Sequence, residues 1–414
     1  MSRDVLTIAP YYGGKSRMAH YIADRLNYDD TDLFLTPFGG MCRVLLNKPR
    51  HKDECYNDYG EGVCALMSVL SNPDTAHDFI YRLYETEYSE AQFLNAKAIF
   101  DKAETDMLKQ TGNLMERELK SVLVGYGLCP PGLRSDEFTK YLKQSMKSTD
   151  ELALTKRIKM ERPSKRDEIN SKLKALVADY TDTKKAKEQG QLLRPRHMGA
   201  LDVSDIDLAI ATYIVFQQSR DAMGKVWTPS KFKDSAHYRR NMENLFECSE
   251  RMQGVKIHQI DATNFFNWYA KKEEMDNISE EYQQMTHWLN NPKAMVLADP
   301  SYIKPDQEEK LLKGIDWKNE PSLSDAIKRV HGDKLPKDLG KLVYTMSFSY
   351  VDQESFVKCV ADAKCKMMIC NYPLMLYQKY LTPEKGWRTF EFLTTTSVGS
   401  KKDNVRTEVL YYNY

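Results

Sequence analysis

Three short stretches of this chain combine residue types that do chemistry together. The first is Asp299-Pro300-Ser301-Tyr302, directly after the apolar run 294–298. The aspartate is an acceptor, the proline removes a donor and stiffens the chain, and the tyrosine offers a flat ring two residues on. That set suits recognition of a planar amine. It equally fits a strand-ending turn with a surface tyrosine. The second is Pro37-Phe38-Gly39-Gly40 at the end of "DLFLTPFGG", with Asp58 following Gly40 by 18 residues. Glycines there let backbone approach a ligand closely, and an acid at that spacing is placed to grip the hydroxyls of a ribose. A tight turn with a helix-capping aspartate has the same letters. The third is Tyr11-Tyr12-Gly13-Gly14-Lys15-Ser16. Its "GGKS" matches the end of a phosphate loop, but the first glycine of that motif would fall at Ala9, which Pro10 follows. Too little chain precedes it for a buried strand. A glycine turn capping a helix from Ser16 to Leu26, with Lys15 in solvent, is the plainer reading.

Such residues need elements to position them. The first seventy residues read strand, glycine turn, helix, strand, acid, the opening of a nucleotide-type α/β sheet. Helical periodicity continues over 73–199 without β-rich apolar runs, and 143–198 is dense in charge, so this segment is expected to be a helical insertion. Strands then return at "VKIHQID", "AMVLADPSYI", "KCKMMICNYP", "WRTFEFLTTTS" and "RTEVLYYNY", with helices at "DIDLAIATYIVFQQS" and "AHYRRNMENLFECSERMQG". The stretch 304–338 reads as a charged loop. Alternating strands and helices predict a mostly parallel, three-layer α/β fold with ligands beyond the carboxyl ends of the strands, where Asp58, Asp261 and Asp299 all fall.

The bulk numbers narrow the function. The chain has 414 residues, 42% of them hydrophobic and 29% charged, with a net charge of +1. No global field draws it to nucleic acid, so any such binding must come from a local basic face. No apolar run approaches the roughly 18 residues of a membrane span. The first residues lack the apolar core of a signal peptide. The eight cysteines are scattered without a C-x-x-C pair, which predicts no zinc site and free thiols in a reducing cytoplasm.

Taken in chain order, "PYYGGK", "PFGG", "ND" at the end of the next strand and "DPSY" resemble the adenine-specific DNA methyltransferases of the Dam type. "ICNYPLMLYQKYL" and "RTEVLYYNY" are similar to that family's closing strands. The resemblance spans residues 8–70, 205–302 and 341–414. It implies a Rossmann-like methyltransferase core over 1–72 and 200–414, interrupted by the 73–199 insertion as a target-recognition or partner domain. It implies S-adenosyl-L-methionine as cofactor, double-stranded DNA as partner and no metal. Tyr11 and Lys15 would contact the cofactor, the lysine at its carboxylate end. Phe38, Gly39 and Gly40 would line its path, Asp58 would accept from the ribose, and Asp261 from the adenine amine. Asp299 and the Pro300 carbonyl would hold the two hydrogens of the target amine so that its nitrogen pyramidalises towards the methyl donor. Tyr302 would stack on the extruded base.

The resemblance also implies a target-reading loop at 217–240, after an apolar helix. Arg220, Lys225, Lys231, Lys233, Arg239 and Arg240 are its phosphate and base contacts, and Trp227 its wedge. A solvated loop with a packed tryptophan also fits these letters. Two positions depart from the family pattern. Ser301 stands where a second proline is usual, and Thr36 where a glutamate is usual. A DNA-binding but inactive relative, or an enzyme acting on RNA or on the amine of cytosine, shares the remaining residues.

Overall fold

The computed structural model describes residues 5–15, 18–110, 116, 119–120, 123–124, 129–130, 132–133, 135–146, 203–229, 235–260, 262, 288–331, 350–395 and 405–414. The chain divides into two compact units. The first comprises Met1–Glu104, Arg194–Ala326 and Leu339–Tyr414; the second comprises Thr105–Leu193 and Ile327–Asp338.

The first unit is an α/β domain. Its described strands are β1 (Leu33–Thr36), β2 (Asp53–Asn57), β3 (Lys256–His258), β4 (Ala294–Ala298), β5 (Lys366–Asn371), β6 (Arg388–Thr395) and β7 (Val405–Tyr412). They form one sheet in the order β3-β2-β1-β4-β5-β7-β6. The first five pair in parallel, whereas β7 runs antiparallel between β5 and β6. The sheet is therefore mixed, with a Rossmann-like 3-2-1-4-5 run. All five residues of β4 are buried. A central parallel strand covered on both faces needs such a continuous apolar run.

Helix α1 (Ala19–Ala23) is shorter than the expected 16–26. Helices α2 (Arg43–Asn47), α3 (Glu61–Ser71), α4 (Pro73–Tyr84) and α5 (Glu90–Gln110) follow. Every residue of α3 from Gly62 to Leu70 is buried. A Cβ on Gly62 would meet Thr212 Oγ1 at 2.5 Å and the Phe100 ring at 2.6 Å. Only glycine lets neighbouring helices come that close. The helix running through 73–84 buries Ala76, Phe79, Ile80 and Leu83 in the same core cluster as α3. The first unit thus runs on through residues 73–104, past the boundary at 72 read from the sequence. In the second unit, α6 (Ser135–Met146) buries Phe138 and Leu142.

Further along lie α7 (Val203–Gln218), α8 (Ser235–Met252), α9 (Pro305–Leu311), α10 (Leu323–His331), α11 (Tyr350–Val360) and α12 (Met375–Tyr380). The stretch 304–338, read as a loop from its charge, holds two of these helices. Its helix starts are individually satisfied: Pro305 sits in the first turn, and the amides of Leu323 and Ser324 donate to the buried Glu354 carboxylate, each at 2.8 Å. Among the described residues no helix is long and apolar enough to cross a membrane.

Candidate active site

The strand order reverses between β1 and β4, and the exits of β1, β2 and β4 open into a cavity of about 240 Å³. In doubly wound sheets this switch point is where ligands sit. The N-terminal loop closes the cavity. Tyr11, Lys15, Phe38, Gly39, Gly40, Asp58, Asp299, Pro300 and Tyr302 all line it.

At the β1 exit the two glycines are sterically required. The Gly39 amide donates to Asn57 O at 2.8 Å, and a Cβ on Gly39 would lie 2.0 Å from the Tyr56 ring. Gly40 has φ +49°, in the left-handed region. Its carbonyl accepts from Tyr56 Oη at 2.8 Å. Phe38 packs edge-on against Phe356, with ring centroids 5.8 Å apart. Asn57 ties the exits together. Its Nδ2 donates to Pro37 O at 2.9 Å and Ile260 O at 3.0 Å, and its Oδ1 accepts from Ile260 N at 2.8 Å.

Asp58 then accepts three backbone amides: Gly40 at 2.8 Å on Oδ2, and Tyr59 at 2.8 Å and Gly60 at 2.9 Å on Oδ1. Burial pushes its carboxyl pKa up, against the pull of those amides. A carboxylate has about four acceptor sites, so three amides leave capacity towards the cavity.

At the β4 exit, Asp299 sits in a compact polar set. Tyr302 Oη donates to Oδ1 at 2.9 Å, and Lys15 Nζ lies 2.8 Å from Oδ2. Lys15 also donates to Gly13 O at 3.1 Å and stands 4.7 Å from the Tyr302 ring centre. Burial pulls the Lys15 pKa down, but the Asp299 carboxylate outweighs it and the net direction is upward. Burial and Asp299 raise the Tyr302 phenol as well. The Tyr302 ring meets Tyr372 edge-on at 4.9 Å. Gln353 Nε2 donates to Ser301 O at 2.9 Å, which tethers the turn that follows Pro300.

The N-terminal loop is held from beneath by a residue the sequence reading missed. Buried Arg43 donates through Nε to Thr7 Oγ1 and through Nη2 to Ala9 O, both at 3.0 Å. A Cβ on Gly14 would lie 2.0 Å from Arg43 Nη1, so the glycine makes room for the guanidinium. Tyr11 packs on Phe216 at 5.2 Å. Phe100 and Glu104, from α5, line the same cavity and were also missed.

The remaining expected residues fall elsewhere or outside view. Asp261, Lys231 and Lys233 lie outside the described residues, as does the side chain of Arg240. Arg220, Lys225 and Arg239 are exposed. Trp227 is half-buried, bridged to Ser219 and 6.1 Å from the Tyr88 ring. Its surroundings are those of a packed tryptophan closing a short turn. Among the described residues no group of three or more His, Cys, Asp or Glu is arranged to hold a metal. No family model matches the chain, and no curated protein matches it.

Proposed function

We propose that the chain is an S-adenosylmethionine-dependent DNA methyltransferase acting on the exocyclic amine of adenine. The observation that carries this reading is the position of Asp299-Pro300 at the β4 exit, on the same cavity as the Gly39-Gly40 turn and Asp58. One wall offers acceptors for a planar amine and the other offers acceptors and close backbone for a nucleoside.

The donor set fits the cofactor. Asp58 would take its ribose hydroxyls, Phe38 and Tyr11 would flank it, and the glycine turn would admit it closely. When bound, S-adenosylmethionine supplies an electrophilic methyl group on its sulfonium. The chain's own part is positioning. The Asp299 carboxylate and the Pro300 carbonyl accept the two amine hydrogens, which frees the nitrogen lone pair from the ring. Lys15 and Tyr302 hold the carboxylate by one oxygen each. Two donors leave about two acceptor sites on the Asp299 carboxylate for the amine. Stacking on an aromatic ring offsets part of the cost of extruding the base, by about 1–3 kcal/mol.

The test is incubation of unmodified DNA and, separately, RNA with methyl-labelled S-adenosylmethionine, followed by nucleoside analysis. N6-methyldeoxyadenosine is the expected product. Label in N4-methylcytidine or in RNA alone would reassign the substrate, and no label would remove the reading.

A further inference from the structure

Helix α5 carries an acid into the cavity wall that the mechanism above does not use. Phe93, Ala96, Phe100 and Glu104 form one stripe of α5, and all four are buried. Three of them are apolar, as a core-facing stripe requires. Glu104 breaks the pattern at 5% exposure, and it lines the cavity with Asp58 and Gly60. Burying a carboxylate on such a stripe is costly without donors to meet it.

One hydrogen bond orients it, and the space over Gly60 shows what it borders. Gly62 N donates to Glu104 Oε1 at 2.9 Å, which turns the carboxylate towards the start of α3. A methyl built on Gly60 would lie 3.5 Å from Asp58 Oδ1, 3.6 Å from Glu104 Oε1 and 3.7 Å from Val63 Cγ2. Both carboxylates thus border one point, beside the Val63 side chain, and the Asp58 oxygen with room for a further donor is Oδ2, which takes one amide against two on Oδ1. Phe100 and Phe216, edge-on at 5.6 Å, extend that apolar wall.

We propose that Glu104 is a ligand-binding residue: it and Asp58 together receive the cis-diol of a bound ribose, one hydroxyl to each carboxylate. This rests on the cavity's being the S-adenosylmethionine site. Two carboxylates bordering one point, beside an apolar wall, match two adjacent O–H donors on one ring. Asp58 already takes three amides, so it has capacity for one hydroxyl better than for two. The second hydroxyl then needs a second acceptor, and Glu104 is placed to supply it.

The experiment measures binding of S-adenosylhomocysteine, adenosine, 2′-deoxyadenosine and 3′-deoxyadenosine by calorimetry on the full chain. Glu104→Ala is expected to weaken S-adenosylhomocysteine and adenosine tenfold or more. One of the two deoxynucleosides should bind wild type and variant within twofold, because it lacks the hydroxyl that Glu104 receives. Gly60→Ala supplies a second variant that does not disturb Glu104's amide bond. Gly60 has φ −65° and ψ 125°, open to any residue, and its methyl would make only ordinary contacts. It should leave the melting midpoint unchanged and weaken S-adenosylhomocysteine tenfold by filling the space between the carboxylates. An equal loss for all four ligands in Glu104→Ala, or unchanged affinity in Gly60→Ala, overturns the assignment. If wild type binds S-adenosylhomocysteine and Glu104→Ala binds it equally, this assignment alone fails. If wild type binds none of the four, the methyltransferase reading fails with it.

Discussion

Strand β2 carries an acid at each end, and the two are held in opposite ways. Glu54, near its start, is 4% exposed and surrounded by side-chain cations. Lys48 Nζ lies 2.5 Å from Oε1, and Arg251 donates to Oε2 at 2.7 Å and to Oε1 at 3.0 Å. Lys48 also donates to His51 Nδ1 at 2.8 Å and stands 4.2 Å above the Phe34 ring. Arg50 donates to the carbonyls of Glu250 and Arg251, both at 2.8 Å, at the end of α8. Asp58, just past the other end, accepts three backbone amides and faces a cavity. One end of the strand spends its charge inside the protein, locking β2 to α8. The other keeps acceptors available to a ligand. A charge-saturated acid and an acid open to the cavity thus lie one strand length apart.

That separation predicts which variants harm which property. Glu54→Ala leaves Lys48 and Arg251 buried without their carboxylate. It should cost about 3–5 kcal/mol in chemical denaturation while the folded fraction binds cofactor normally. Asp58→Ala should do the reverse, weakening S-adenosylmethionine by about 1.5–3 kcal/mol at a smaller stability cost. Unchanged affinity in Asp58→Ala would break the comparison.

The Glu54 network also has a pH signature. Burial, with the Lys48 ammonium second, holds the His51 pKa down at about 4, against an ordinary 6.5. Between those values the unfolded chain binds more protons than the folded one, so stability falls as pH drops from 6.5 to 4. His51→Gln should flatten this acid limb by about 1–2 kcal/mol in denaturation midpoints followed across that window. Glu54 is itself held below its ordinary value, against its burial, by the Arg251 and Lys48 contacts. Its contribution is lost from about pH 4.5 downward, so it joins the low end of the His51 limb and continues below it. The smallest effects are expected at the surface. Alanine at Arg220, Lys225 or Arg239 should each lower DNA affinity modestly and reduce the salt slope by about 1, if that residue meets a phosphate.

The sequence made the two glycines and Asp58 legible because their contact is nearly local: Gly40 N reaches Asp58 Oδ2 across 18 residues and one strand pair. The apolar run of β4 announced Asp299 in the same way. Arg43 was hidden because an arginine in a short helix looks like a solvent-facing charge. Its burial depends on the loop carbonyl of Ala9, 34 positions earlier. Lys15 was read towards a ligand; its pairing with Asp299 joins the two ends of the fold and has no local signal. Glu104 did leave one, an acid on an otherwise apolar stripe, but the charge of the whole segment masked it. The helices within 304–338 were obscured likewise: α10 carries a buried apolar stripe of Leu323, Ala326 and Ile327, but the charge around it hid the pattern.

The central claim is that Asp299 and the adjoining Pro300 carbonyl hold the amine that is methylated. The most direct measurement is methyl transfer to unmodified DNA by Asp299→Asn at saturating S-adenosylmethionine, with cofactor affinity determined on the same sample. If Asp299 holds the amine, cofactor affinity stays within threefold of wild type and transfer falls about 10²–10³-fold or more. Transfer retained at the wild-type rate would contradict it.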